Sequence, residues 1–253
     1  MASGVAWRLY QANIQRIVLL EIDQPVAVRR KVAFCEAVYE GRQTVEGVEA
    51  LRADGIEAVR RVWKMGKLAV CVDPQWVMLE AMRPAVVVDA ILAKRNLGTA
   101  PTDAPLVIAL GPGFVVGQDA HMVIETNRGH NLGRIMTSGC AERDTGIPGA
   151  IDGHTQKRVL RASVGGEFRA RCSIGDDVQA GQTIGFVNGT PIYAGLDGVL
   201  RGLIRSGCRV TPGLKIGDID PRKVVEYCTT ISDKARAIGG SVLEAVLRVY
   251  NRS

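Results

Sequence analysis

The chain has 253 residues, enough for two domains of ordinary size. An apolar fraction of 47% and a charged fraction of 23% exclude a disordered chain and allow a core without disulfides. A net charge of +6 at pH 7 favours anionic partners such as phosphates or nucleotides, yet the basic residues are scattered as on an ordinary solvated surface, which excludes a nucleic-acid patch.

The six cysteines, at 35, 71, 140, 172, 208 and 228, form no CxxC pair, and the histidines at 121, 130 and 154 lie elsewhere. A metal site is therefore not expected, and reduced cytosolic thiols fit better than a disulfide framework. Apolar runs fall far short of the ~18–20 residues of a membrane span, and the start lacks a basic flank followed by an apolar core. A cytoplasmic protein with no membrane partner is the expectation.

In chain order, Ala2 to Ala12 predicts a helix with Val5, Leu9 and Ala12 on one face, ended by Asn13. Ile17-Val18-Leu19-Leu20 then closes on Glu21 and reads as a strand buried on both faces. Apolar runs follow at Leu68–Val72, Ala85–Val88 and Leu106–Leu110, with helical stretches expected within Gly47–Gly66 and at Asp89–Asn96. This alternation predicts a parallel sheet covered on both sides. Glu21 stands where a doubly wound dinucleotide fold places its ribose-binding carboxylate. A carboxylate that simply ends the strand is the alternative.

Leu106–Leu110 runs into Gly111-Pro112-Gly113-Phe114, and such a loop lets backbone N–H groups approach an anion. A plain turn is the alternative. Val123-Ile124 then delivers Glu125, Thr126 and Arg128 at a strand end, where open α/β sheets bind ligands. Glu125 and His130 suit acid–base chemistry, and Arg128 and Arg134 suit a phosphate clamp. The rival is an internal ion-pair network that orders the loop. The loop continues to Gly149, and Arg143 near Cys140 can lower that thiol's pKa, against a plain cysteine. The catalytic candidates are therefore Glu125, His130 and Cys140; the ligand-binding candidates are Glu21, Gly111, Gly113, Arg128 and Arg134.

From Leu160 to about residue 221 helical periodicity gives way to frequent glycines and short β-prone runs at Ile184–Val187, Val199–Ile204 and Leu214–Ile216. Gly175-Asp176-Asp177-Val178-Gln179-Ala180-Gly181-Gln182-Thr183-Ile184 is echoed by Gly207-Cys208-Arg209-Val210-Thr211-Pro212-Gly213-Leu214-Lys215-Ile216. In both, the glycines permit turns and the valine packs inward. The pair resembles the barrel-sandwich hybrid of biotinyl and lipoyl carrier domains. That resemblance implies a modified lysine on a hairpin here placed at Asn188-Gly189-Thr190-Pro191, which has none, while Lys215 falls in a predicted strand. Biotin and lipoate are therefore not expected. At the end, Ser232 caps a helix from Asp233 that Gly239-Gly240 is expected to interrupt.

Several longer motifs carry a further resemblance. Glu21-Ile22-Asp23-Gln24-Pro25, Phe34-Cys35-Glu36-Ala37-Val38-Tyr39, Ala109-Leu110-Gly111-Pro112-Gly113-Phe114, Ile124-Glu125-Thr126 with Arg128-Gly129-His130, Leu214 to Arg222 and Ile231 to Gly240 are similar to the YqeB family. That family is associated with selenium-dependent molybdenum hydroxylases. The resemblance implies an accessory protein that matures such an enzyme or its molybdenum cofactor, with the hydroxylase or its maturation proteins as partners. It also implies a nucleotide-like or molybdopterin-type ligand. Two other readings stay open: a scaffold that docks through its β module, or an enzyme of selenium or sulfur insertion using Cys140 or Cys35. Family members open with a strand and a G-x-G-D-L-A-[ST]-G segment, of which Ala2-Ser3-Gly4 matches the end; a start site assigned too late is the favoured expectation, and a real loss of that strand is the alternative. The expected organisation is a Rossmann-like α/β domain, 1–157, its first strand missing; a barrel-sandwich hybrid, 158–222; and a helical tail, 223–253.

Overall fold

The computed structural model describes residues 1–146 and 149–251, so Ile147 and Pro148 of the loop after Cys140 lie outside the described residues. The chain is mixed α/β and forms two compact units. One comprises Met1–Ile22, Val48–Thr145 and Ile231–Ser253; the other comprises Asp23–Gly47 and Gly146–Thr230. Boundaries at 157/158 and 222/223 follow the chain linearly, whereas these units are assembled from segments far apart in sequence.

The elements begin with helix α1 (Ala2–Gln11), strand β1 (Val18–Glu21), short helix α2 (Ala37–Glu40), β2 (Arg42–Val45), β3 (Val48–Arg52), α3 (Ile56–Lys64), β4 (Leu68–Val72) and α4 (Val77–Met82). Next come β5 (Val86–Asp89), β6 (Leu106–Leu110), β7 (Met122–Ile124) and β8 (Ile135–Met136). The antiparallel region holds β9 (Val159–Arg161), β10 (Gly166–Ala170), β11 (Asp177–Val178), β12 (Thr183–Val187), β13 (Thr190–Tyr193), β14 (Gly198–Leu203), β15 (Arg209–Val210) and β16 (Lys215–Asp220). Helix α5 (Asp233–Tyr250) follows.

In the α/β unit, β4 lies between β1 and β3, all parallel. A second sheet runs β5-β6-β7-β8, its first three strands parallel and β8 antiparallel. Every residue of β6 is buried, as its unbroken apolar sequence requires. Leu106, Ile108 and Leu110 face a core shared with Val5 and Leu9 of α1 and Ile238, Val242 and Val246 of α5. Val107 and Ala109 point the other way, into Phe114, Ala120, Val123 and Ala141. β1 is only half-buried, which corrects the expectation of a strand covered on both faces.

Two helix expectations are overturned. Gly239-Gly240 does not interrupt α5. A Cβ on Gly239 would lie 2.8 Å from the carbonyl oxygen of Gly4, and one on Gly4 would lie 2.9 Å from the Ala235 Cβ. Close packing of α1 on α5 therefore offsets the roughly 1 kcal/mol propensity penalty of a helical glycine. Where a helix is expected over Asp89–Asn96, Asp89 ends β5 and 90–96 form a loop. The Asp89 carboxylate accepts the Ile91 N–H (3.0 Å) and the Thr99 hydroxyl (2.6 Å), and Asn96 binds the N–H groups of Gly98 and Thr99, each at 2.8 Å. Asp and Asn side chains compete with helical bonding in this way.

The other unit contains two four-stranded antiparallel sheets, β13-β12-β10-β15 and β11-β14-β16-β9. Phe168, Ile184, Val187, Leu200, Leu203, Ile216 and Ile219 are in its core. The two sequence repeats occupy matching positions: Val178 and Val210 are buried on β11 and β15, and Gly175, Gly181, Gly207 and Gly213 all take positive φ. Asn188-Gly189 makes the tight β12–β13 turn, both residues with positive φ, the conformation that favours Asn-Gly in two-residue hairpins.

A buried ionic network crosses the second of these sheets. Asp218 (1% exposed) binds Arg158, Arg201 and Lys215; Asp220 (0%) binds Arg201 at 3.0 Å and Arg222 at 2.6 Å. Burial pushes both carboxyls up, but the surrounding cations win and hold them below the usual carboxylate range. Arg29 Nη2 donates to the carbonyls of Tyr227 (2.6 Å) and Thr230 (3.0 Å). Burial and the neighbouring Arg201 push its pKa down to about 10. Among the described residues no helix is long and apolar enough to cross a membrane.

Candidate functional site

Strands β6 and β7 are parallel neighbours, with Leu110 opposite Ile124. Their carboxyl ends thus deliver residues 111–114 and 125–134 to the same edge of the sheet. Glu125 is 2% exposed, and both carboxylate oxygens are engaged. One accepts the Asn127 N–H at 2.6 Å, the other the Glu142 N–H at 2.7 Å. Its backbone N–H donates to Arg134 and its carbonyl accepts from Gly133. Glu125 therefore clamps two loop segments together, and action as a base would require breaking charge-assisted bonds.

Around this clamp lies a set of charges. Arg128 makes a bidentate pair with Asp233, at 2.6 and 2.8 Å, although Asp233 is 70% exposed. Lys94 meets Asp144 at 2.5 Å. Glu142 accepts from the Asn127 and Asn131 amides at 2.8 and 2.9 Å, and these bonds hold its carboxyl below the usual range. Lys234, half-buried in the first turn of α5, belongs to the same cluster. Burial lowers its pKa and Arg128 adds to the effect, while Glu125, Asp144 and Asp233 pull the other way. His130, Cys140, Arg134 and Arg143 are exposed; Cys140 bridges to Val115.

Gly111 and Gly113 serve close approach of the protein to itself. Gly111 has φ 81°, its N–H donates to the Ile124 carbonyl at 2.8 Å, and a Cβ there would sit 2.5 Å from the Thr126 hydroxyl oxygen. Gly113 has φ 105°, and a Cβ there would lie 2.5 Å from the backbone of Arg95. Glu21 ends β1 in the other sheet of this unit, and burial raises its carboxyl pKa. Its carbonyl accepts the N–H of Asp73, whose buried carboxylate in turn accepts the Val77 and Met78 N–H groups and caps α4. Cys35 is buried and belongs to the other unit.

The structure thus brings Glu125, Arg128 and the Gly111–Gly113 loop to one sheet edge. Sequence reasoning missed Lys94, Asp144, Asp233 and Lys234. Only the Ser232 cap, which fixes Asp233 and Lys234 in the first turn of α5, was a usable local signal. Among the described residues no cluster of three His, Cys, Asp or Glu side chains could hold a metal ion.

No protein-family model matches the chain. The uncharacterized protein YqeB of Escherichia coli strain K12 is 48% identical to it over 252 residues, covering 100% of this chain. That identity supports the YqeB family. The match takes in 46% of the E. coli YqeB sequence, so the chain spans about half the length of that relative. Two solved structures align weakly. An aspartoacylase family protein from Mesorhizobium loti gives a TM-score of 0.26 at 13% identity, over 67% of this chain and 51% of that one. A succinylglutamate desuccinylase/aspartoacylase from Rhodobacter sphaeroides gives 0.24 at 16%, over 36% and 29%. At these scores neither carries an argument.

Proposed function

We propose that the chain is an accessory protein in the maturation of a selenium-dependent molybdenum hydroxylase, and that it holds a nucleotide-like or molybdopterin-type ligand. The hydroxylase role is supported by the YqeB resemblance. In this reading the α/β unit is Rossmann-like, consistent with its parallel strands, and the antiparallel unit is a barrel-sandwich hybrid of the biotinyl and lipoyl type. The Asn188-Gly189 turn offers no lysine, and Lys215 lies on β16 bound to Asp218, so the second unit docks rather than carries a swinging group.

The observation that carries ligand binding is the convergence of Arg128, Lys234 and Lys94 at the carboxyl edge of β6 and β7, where parallel sheets take ligands. A ligand phosphate fits there by exchange with Asp233. An exposed ion pair is worth only about 0–1 kcal/mol, so the Arg128 fork is readily transferred to a phosphate of matching geometry. Gly111 fits a phosphate cradle poorly, because its N–H is already bonded within the sheet. Glu125 keeps the loop in place and touches no ligand.

Thermal unfolding against nucleoside triphosphates and molybdopterin dinucleotides tests the proposal. A true ligand at ~100 times its dissociation constant stabilises by about 2.7 kcal/mol. Arg128→Ala should abolish that gain while leaving the ligand-free stability within about 1 kcal/mol. An unchanged gain in Arg128→Ala would remove the site from this edge, and no gain with any of these ligands would end the ligand-binding reading.

A further inference from the structure

We infer that the groove between β9 and β13 is a docking site for an extended, acidic segment of a partner protein. The inference stands apart from whatever the α/β unit binds. β13 is the last strand of one antiparallel sheet and β9 the last strand of the other, each paired on one side only, with β12 and β16. A groove of about 370 Å³ lies along them. Its lining combines an apolar floor, including Val159, Pro191 and Ile192, with the exposed cations Lys157 and Arg161, and contains no carboxylate.

Each part has a recognition role. Tyr193 is 55% exposed, offering an apolar ring and a hydroxyl, the combination enriched where proteins meet. Arg161 Nη1 donates to the Gly213 carbonyl at 2.8 Å, which orients its guanidinium beside the groove. Gly195 passes so close to the Lys157 carbonyl that a Cβ would overlap it, closing the floor under that end. Pro191 removes a backbone donor from β13, so this edge is a poor template for open-ended sheet growth. Selectivity falls instead on side chains, and two cations without an acid select a segment with carboxylates spaced along one side and an apolar residue between them.

The test uses fluorescence anisotropy with the intact chain and two labelled synthetic peptides, one alternating Glu with Val and Ile, the other alternating Lys with Val and Ile. The acidic peptide should bind at least about tenfold more tightly than the basic one, a difference of about 1.4 kcal/mol. Added salt should weaken it, because the cations are exposed. Lys157→Glu should cut its affinity by about tenfold, and Tyr193→Ala should weaken both peptides. Both residues are exposed, so an unchanged melting temperature separates lost binding from lost folding. Equal affinity for the two peptides, no saturable binding of the acidic one, or full affinity in a Lys157→Glu/Tyr193→Ala double variant would each overturn the inference. Self-association of the chain that Tyr193→Ala abolishes would also overturn it, assigning the groove to a second copy.

Discussion

Removal of Asp218 is the perturbation whose outcome the structure constrains most tightly. Its side chain is 1% exposed and accepts from Arg158 Nη1, from Lys215 Nζ at 3.3 Å, and from Arg201 through both Nε (2.9 Å) and Nη2. Asp218→Ala leaves Asp220 as the remaining carboxylate partner of Arg201. Deleting one partner of a buried pair costs about 3–5 kcal/mol, because the desolvated cations lose much of their compensating charge. At roughly 2–4 °C per kcal/mol for a protein of this size, the antiparallel unit should melt about 6–20 °C lower. Differential scanning calorimetry measures this directly, and the loss should be nearly independent of salt, since the network is shielded from solvent. Acid gives a second readout. The folded-state pKa values of Asp218 and Asp220 lie below their unfolded values, so their stabilisation is complete above about pH 4 and is lost as pH falls through the depressed folded values. The variant should therefore lose much of the wild type's dependence on pH in that acidic window. A destabilisation under about 1 kcal/mol, or one that salt erases, would refute the reasoning.

Three further outcomes follow from single contacts. Glu125→Gln replaces an acceptor of two backbone N–H groups by an amide that can accept at one oxygen only; a loss of about 1–3 kcal/mol is expected, with faster hydrogen exchange at Asn127 and Glu142. Gly113→Ala should destabilise by about 1–3 kcal/mol more than Gly117→Ala, measured by urea unfolding. Both glycines have positive φ, but only at Gly113 does the new Cβ meet the Arg95 backbone. Glu21→Gln should raise stability at pH 7. Burial raises the folded pKa of Glu21, so the native state binds more protons than the unfolded one and stability falls as pH climbs from the ordinary carboxylate value through the raised one. Melting curves of wild type and variant should converge below about pH 4 and separate above it.

The strands were legible where burial writes itself into composition. β4 and β6 are continuous apolar runs because neighbouring strands and packed residues cover both their faces. The antiparallel unit was legible through the phase of its glycines, since positive φ at Gly175, Gly181, Gly207 and Gly213 is required by the turns themselves. Features set by distant contacts were not. Nothing local at Gly239 shows that Gly4, more than two hundred residues earlier, presses on it. Asp89–Asn96 has a helix-like pattern that its own Asp and Asn side chains defeat by bonding the loop backbone.

Glu125 and Lys234 show why a chemical role is harder to read than a strand. In sequence, Glu125 is a carboxylate delivered by a buried strand beside glycines, the usual appearance of a general base. Its function depends on where the Glu142 N–H lies, seventeen residues on, and that donor together with Asn127 turns a reactive-looking group into a clamp. Lys234 is one more cation in a chain with 32 lysines and arginines. Only the packing of α5 half-buries it near Arg128, 106 positions away, at an end of a helix where the macrodipole already disfavours positive charge. Long-range packing therefore decides both environments: the conspicuous acid has both carboxylate oxygens bonded to backbone N–H groups, and the inconspicuous lysine is half-buried beside an arginine.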